Sequence, residues 1–138
     1  MRLLIDANIL LDVLQYREPH VQDSSKIWKL CETSLDTGYV TASSFANLVY
    51  VMRKELDAEM IKDVYTKMEL LFRFTELSTS DLAKAIDMKW DDVEDSLQSV
   101  AAERVKADYI ITRNVKDFLK SKVMALTPSE YLERRGFR

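Results

Sequence analysis

The chain has 138 residues, 47% of them hydrophobic, or roughly 65 apolar side chains, enough for one buried core and too few for two independent domains. With 20 Lys+Arg against 23 Asp+Glu the formal net charge is −3, and 31% of residues are charged, a globular balance that excludes a disordered tail and a uniformly basic nucleic-acid coat. Two Gly, two Pro, one Cys (Cys31) and one His (His20) exclude collagen-like arrays and all-β sandwiches and leave no intramolecular disulfide or structural zinc site.

In chain order, the apolar run 2–5 stopped by Asp6 predicts a strand. Ile9, Leu10, Val13 and Leu14 recur at helical spacing behind Asn8, which is placed to cap them. Asp6 and Asp12 also interrupt this amino-terminal run, and no stretch approaches the roughly 20 apolar residues that span a bilayer. A soluble, unprocessed cytoplasmic chain with no membrane contact is the expectation. Pro19 suits the first turn of a second helix carrying Ile27, Trp28, Leu30 and Leu35, with Gly38 as its stop and a strand over 39–42. Ser43 or Ser44 then caps a helix through Phe45, Leu48, Val49, Met52 and Leu56, and a further helix spans 58–71. Residues 72–77 read as a strand, Ser78 to Ser80 as caps, and Asp91 or Asp92 as the start of a helix with Val93, Leu97, Val100 and Ala101 on one face. Strands over 109–112 and 123–126 follow, and Thr127-Pro128-Ser129-Glu130 is a capping box that opens a terminal helix. Strands alternating with helices predict one helix-rich domain over 1–138, a three-layer α/β/α sandwich with a mainly parallel sheet.

Ligands of open parallel sheets sit beyond the carboxyl ends of the strands. Asp6 and Asn8 follow the first strand, while Thr112, Arg113, Asn114 and Asp117 follow the strand over 109–112. Asp92 and Asp95 are three apart, so both carboxylates face one side of a helix, and Asn47 lies off the Phe45/Leu48/Met52 stripe. If Asp6, Asp95 and Asp117 meet, their mutual repulsion is relieved by protons or by a divalent cation, and an all-oxygen set favours Mg²⁺ or Mn²⁺. Such an ion activates water and neutralises charge on a phosphodiester. Arg113, Lys116, Lys120 and Lys122 supply local positive charge for a phosphate-bearing substrate, and Arg134, Arg135 and Arg138 form a basic tail. No interleaving of basic and aromatic residues along the chain points to base stacking.

The blocks Asp6-Ala7-Asn8-Ile9-Leu10-Leu11-Asp12, Asp92-Val93-Glu94-Asp95 and Ala107-Asp108-Tyr109-Ile110-Ile111-Thr112-Arg113-Asn114-Val115-Lys116-Asp117-Phe118 resemble the signature blocks of PIN-domain proteins, in the same order. The resemblance implies a Mg²⁺/Mn²⁺-dependent endoribonuclease of the VapC toxin type, forming homodimers and silenced by a small antitoxin protein. It implies Asp6, Asp95 and Asp117 as metal-binding acids, with Asp92, Thr112 and Asn114 in support; by position Asn8 and Asn47 are read as further supporting groups, and by local charge Arg113 and Lys116 as facing RNA. One position departs from the pattern: Asn47 stands where the family commonly has glutamate. The alternative reading is therefore a PIN-fold binding module with weakened or lost turnover.

Overall fold

The computed structural model describes residues 1–137. Five strands form one fully parallel sheet: β1 (Arg2–Ile5), β2 (Thr37–Thr41), β3 (Arg73–Thr75), β4 (Tyr109–Ile111) and β5 (Ala125–Leu126), in the order β3-β2-β1-β4-β5. The helices are α1 (Ala7–Leu14), α2 (Val21–Glu32), α3 (Ala42–Val51), α4 (Ala58–Leu71), α5 (Thr79–Asp87), α6 (Val93–Arg104) and α7 (Pro128–Arg134), with a 3₁₀ turn at Val115–Phe118.

Because strand side chains alternate between faces, β1 sends Leu3 and Ile5 to one side and Leu4 to the other. The first face buries Leu3, Ile5, Val40 and Ile111 against Leu10, Ile27, Leu48, Met68 and Leu132 of α1, α2, α3, α4 and α7. The second buries Leu4, Tyr39 and Ile110 with Ala102 of α6 and Phe118 of the 3₁₀ turn, while α5 packs on α6. The result is the expected three-layer α/β/α sandwich. No helix among the described residues is long and apolar enough to cross a membrane.

Several boundaries differ from the sequence-based expectation, each for a local physical reason. Asp6, not Asn8, occupies the cap position of α1; Asn8 lies inside the helix, where its Oδ1 accepts from Arg17 Nη1 at 3.4 Å. Thr41 rather than Ser43 or Ser44 caps α3, accepting from the Ser44 amide at 3.0 Å, because β2 runs directly into the helix. Gly38 does not stop α2, which ends at Glu32; it lies within β2, facing Phe72 and Cys31. Leu35 and Leu56 fall outside the helices assigned to them, and β3 and β5 are shorter than expected.

The largest difference is in α6, which buries Val100 and Ala101 of the expected apolar stripe but not Val93, and buries polar residues with them. Val93 is exposed, and Ser96, Gln98 and Ser99 are buried beside Val100, Ala101 and Ala102. Gln98 Nε2 donates to the Thr41 and Ser44 hydroxyls, so polar groups at the start of α3 take up the amide donor of this face.

Candidate active site

β1 lies at the centre of the sheet, with β2 on one side and β4 on the other, so the chain reverses its direction of travel across the sheet between β1 and β4. Helices leaving neighbouring strands at such a point diverge to opposite faces and open a crevice at the carboxyl ends. Asp6 follows β1 there and Thr112 follows β4, in register through Ile5 and Ile111. The Asp6 amide donates to the Ile111 carbonyl at 3.0 Å, and the Thr112 hydroxyl donates to Asp6 Oδ2 at 2.9 Å. Thr112 Oγ1 also accepts from the Asn114 amide at 3.1 Å, which turns the chain toward the 3₁₀ segment. Asn114 caps that segment through its backbone position, without a side-chain capping bond.

Burial pushes the Asp6 carboxyl above its ordinary range; Thr112, the Ala7 amide and nearby Arg113 oppose the rise, while Glu94 adds to it. Asp95 goes further, pushed up to about 6 by desolvation and then by the like charges of Asp92, Asp117, Asp6 and Glu94. Three regions distant in the chain, the end of β1, the first turn of α6 and the 3₁₀ turn, therefore share one electrostatic environment. Asp92 Oδ1 accepts from the Asp95 amide at 3.1 Å and caps α6. Phe118 is buried in the second core cluster and anchors the turn that presents exposed Asp117. Asp92, Asp95 and Asp117 line one cleft of ≈ 320 Å³ with Lys116 and Lys120.

Not every expected residue joins this group. Arg113 is drawn inward: its Nη2 lies 3.3 Å from Oδ1 of fully buried Asp12, which also accepts from the Ser24 hydroxyl at 3.0 Å. Its charge is taken up by the fold, not by the cleft wall. The Asn47 side chain is exposed on α3 and has no hydrogen-bond partner among the described residues. Arg135 pairs with buried Asp36, which also accepts from the Tyr131 hydroxyl at 2.7 Å, so this member of the basic tail is structural. Arg138 lies outside the described residues. Glu94, conversely, was not singled out in the sequence, although its place in the first turn of α6 between Asp92 and Asp95 is the signal that brings it near Asp6.

Among the described residues, no three His, Cys, Asp or Glu side chains stand close enough to form a ready-made metal cage. The acids are near enough to repel one another without converging on a single point.

A sequence model of the PIN domain matches residues 2–116. The chain belongs to the PIN-domain family. The match contains Asp6 and Asp95 and ends one residue before Asp117. No curated protein sequence matches at a significant level. Among solved structures, this PIN domain is similar to FitAcB from Neisseria gonorrhoeae, at 17% identity and a TM-score of 0.65 over 92% of this chain and 98% of that one. A toxin–antitoxin complex from Klebsiella pneumoniae is similar at 18% identity and a TM-score of 0.66, covering 91% of this chain and 96% of that one. VapBC2 from Rickettsia felis, solved with a promoter DNA fragment, is similar at 14% identity and a TM-score of 0.64, covering 92% and 98%. At these identities the likeness is one of fold.

Proposed function

We propose that this PIN domain is a metal-dependent endoribonuclease, the toxin of a toxin–antitoxin pair, folded as one domain over 1–138 and working in the cytoplasm. The observation that carries the reading is the shared field at Asp95, whose carboxyl is pushed up to about 6 by burial and by neighbouring acids that include Asp6 and Asp117. An uncompensated cluster of this kind is relieved by a divalent cation. The donors are all carboxylate oxygens, and their open spacing suits Mg²⁺ or Mn²⁺, hard ions of which Mg²⁺ keeps several waters and draws on one or two carboxylates.

Asp6, Asp95 and Asp117 would hold the ion, directly or through water. When bound, it supplies water activation and charge neutralisation at a phosphodiester. Thr112 holds the Asp6 carboxylate in one orientation and favours its ionised form. Asp92 fixes the first turn of α6 and thereby the position of Asp95. Asn114 shapes the turn that carries Asp117, and Lys116 on the cleft wall attracts the phosphate chain. Asn47, standing where a carboxylate is usual in the family, leaves the site one negative charge fewer to offer the ion.

The structural relatives FitAcB, the Klebsiella complex and VapBC2 support a small antitoxin partner, because two of them are named as toxin–antitoxin or VapBC assemblies and share this fold. A homodimer is part of the same proposal. The test is cleavage of mixed RNA in EDTA, Mg²⁺ and Mn²⁺ with the wild type, Asp6→Asn and Asp95→Asn. Metal-dependent cleavage lost in both variants, with folding intact by circular dichroism, supports the reading. Equal cleavage by all three proteins, or none by the wild type with either metal, rejects it.

A further inference from the structure

The acidic cleft does not end at its carboxylates. Its walls include Lys89, Trp90, Lys116 and Lys120. A second cleft of ≈ 700 Å³ opens between α5, α6 and the segment after the 3₁₀ turn, and it shares Trp90 and Lys120 with the first. It adds Lys84 and Lys122, while its Arg104 is held by Asp81 at 3.0 Å. Among the described residues Lys84, Lys89, Lys116 and Lys120 have no carboxylate within ion-pair distance, and Lys122 meets Glu103 only at 3.7 Å on an open surface. The acids of these walls outside the metal-binding group are Asp81, which is held by Arg104, Glu103, which faces Lys122, and Asp87, Asp91 and Asp92, which are exposed.

Trp90 lies where the two clefts join. It is half-buried, and its ring meets Phe118 edge to face, with centroids 6.2 Å apart and planes at 77°. An indole braced from behind by the core is a stacking surface that gives up little freedom on binding. Unpaired ammonium groups on either side of an aromatic plane match alternating phosphates and bases in an unpaired strand.

We propose that the two clefts form one continuous groove for single-stranded RNA, running from the acids across Trp90, with a base stacked on the indole and phosphates held by Lys84, Lys116 and Lys120. The choice of RNA rests on the nuclease reading above; the groove itself rests on the residues just named. The sequence conceals it because its lysines and its one aromatic come from three separate segments.

Binding is measured by anisotropy of a fluorescein-labelled single-stranded oligouridylate of twelve nucleotides, in EDTA so that no cleavage occurs. Trp90→Leu is expected to weaken binding by roughly five- to a hundredfold, the range for one lost base–aromatic stack. Lys120→Ala, a change at an exposed and unpaired position, is expected to weaken binding and to lower the slope of log affinity against log salt by about 0.7. A duplex of equal length is expected to bind more weakly than the single strand. Wild-type affinity in folded Trp90→Leu, an unchanged salt slope in Lys120→Ala, or equal binding of duplex and single strand would each overturn the groove. The two proposals separate cleanly: Trp90-dependent binding without metal-dependent cleavage removes the nuclease and keeps the groove, and cleavage with binding indifferent to Trp90 does the reverse.

Discussion

Thr112 and Asp6 are 106 positions apart, yet the threonine hydroxyl donates to the aspartate Oδ2 at 2.9 Å and joins the ends of two adjacent strands. Thr112 is fully buried, so this bond is shielded from water. Thr112→Val keeps the shape and removes the donor. The Asp6 carboxyl, already raised by burial, is expected to rise further. At the usual worth of a hydrogen bond to a charged group, about 1.5 kcal/mol or more, Mn²⁺ binding at pH 7 should weaken on the order of tenfold. Titration calorimetry measures this directly, and binding equal to wild type would disconnect Thr112 from the cation.

Asp95 gives a pH dependence with a definite sign. Its folded-state value of about 6 lies above the ordinary 3.8, so between those values the folded chain holds a proton that the unfolded chain has released. That contribution is present below the lower value and is lost as pH rises through about 6. Asp95→Asn removes the cost of the buried charge and should be the more stable protein above pH 6, by on the order of 1 kcal/mol after allowance for solvent screening. Thermal melts of both proteins from pH 4 to pH 8 decide the matter: parallel curves across that range would contradict the assignment. Metal binding by the wild type should fail over the same interval as acid protonates the site.

Arg104 makes the opposite case. It reaches buried Asp81 at 3.0 Å, Thr75 Oγ1 at 3.0 Å and the Glu76 carbonyl, tying α6 to α5 and to the end of β3. Burial alone would raise the Asp81 carboxyl, but the Ser78 amide and hydroxyl and the Arg104 guanidinium together hold it below its ordinary range. This stabilisation is present above pH 4 and disappears as pH falls through the depressed value. Arg104→Met strands the carboxylate and should lower stability by about 2 kcal/mol at pH 7, less than for a fully enclosed pair because Arg104 is partly exposed. Urea unfolding at pH 7 and pH 3 should show the deficit at the higher pH and little of it at the lower.

Gly38 is required by packing rather than by backbone conformation. A Cβ there would lie 2.7 Å from Phe72 Cδ1 and 2.8 Å from Cys31 Sγ. Gly38→Ala should therefore cost about 1–3 kcal/mol by overpacking between β2, α2 and the end of α4. Pairing it with Cys31→Ala should recover part of the loss. Chemical denaturation of the single and double variants tests the contact, and two independent, additive losses would disprove it.

What could be read from the sequence follows the range of the interaction. The span of α4, a serine cap within 78–80 and the capping box at Thr127 depend on residues within one helical turn, and they stand where spacing places them; that Ser78 and Asp81 form a capping box of their own is added by the structure. The three layers and the gathering of Asp6, Asp95 and Asp117 at one sheet edge follow from alternation and from the geometry of parallel strands. Interactions across tens of residues were hidden. Gln98 makes a polar face of α6 suitable for burial only because Thr41 and Ser44 wait 57 and 54 positions earlier. Arg113 reads as a surface cation until Asp12 is seen to hold it. Gly38 looks like a helix stop unless the Phe72 ring above it is known.

The placement of the first strand in the middle of the sheet has a temporal consequence. Asp6 is synthesised before its acidic neighbours on α6 and the 3₁₀ turn, and 106 positions before its hydroxyl partner Thr112. A nascent chain carries the opening residue of the pocket and nothing to complete it. Assembly of the acids therefore waits until the 3₁₀ turn has been synthesised, a built-in delay for any chemistry they perform.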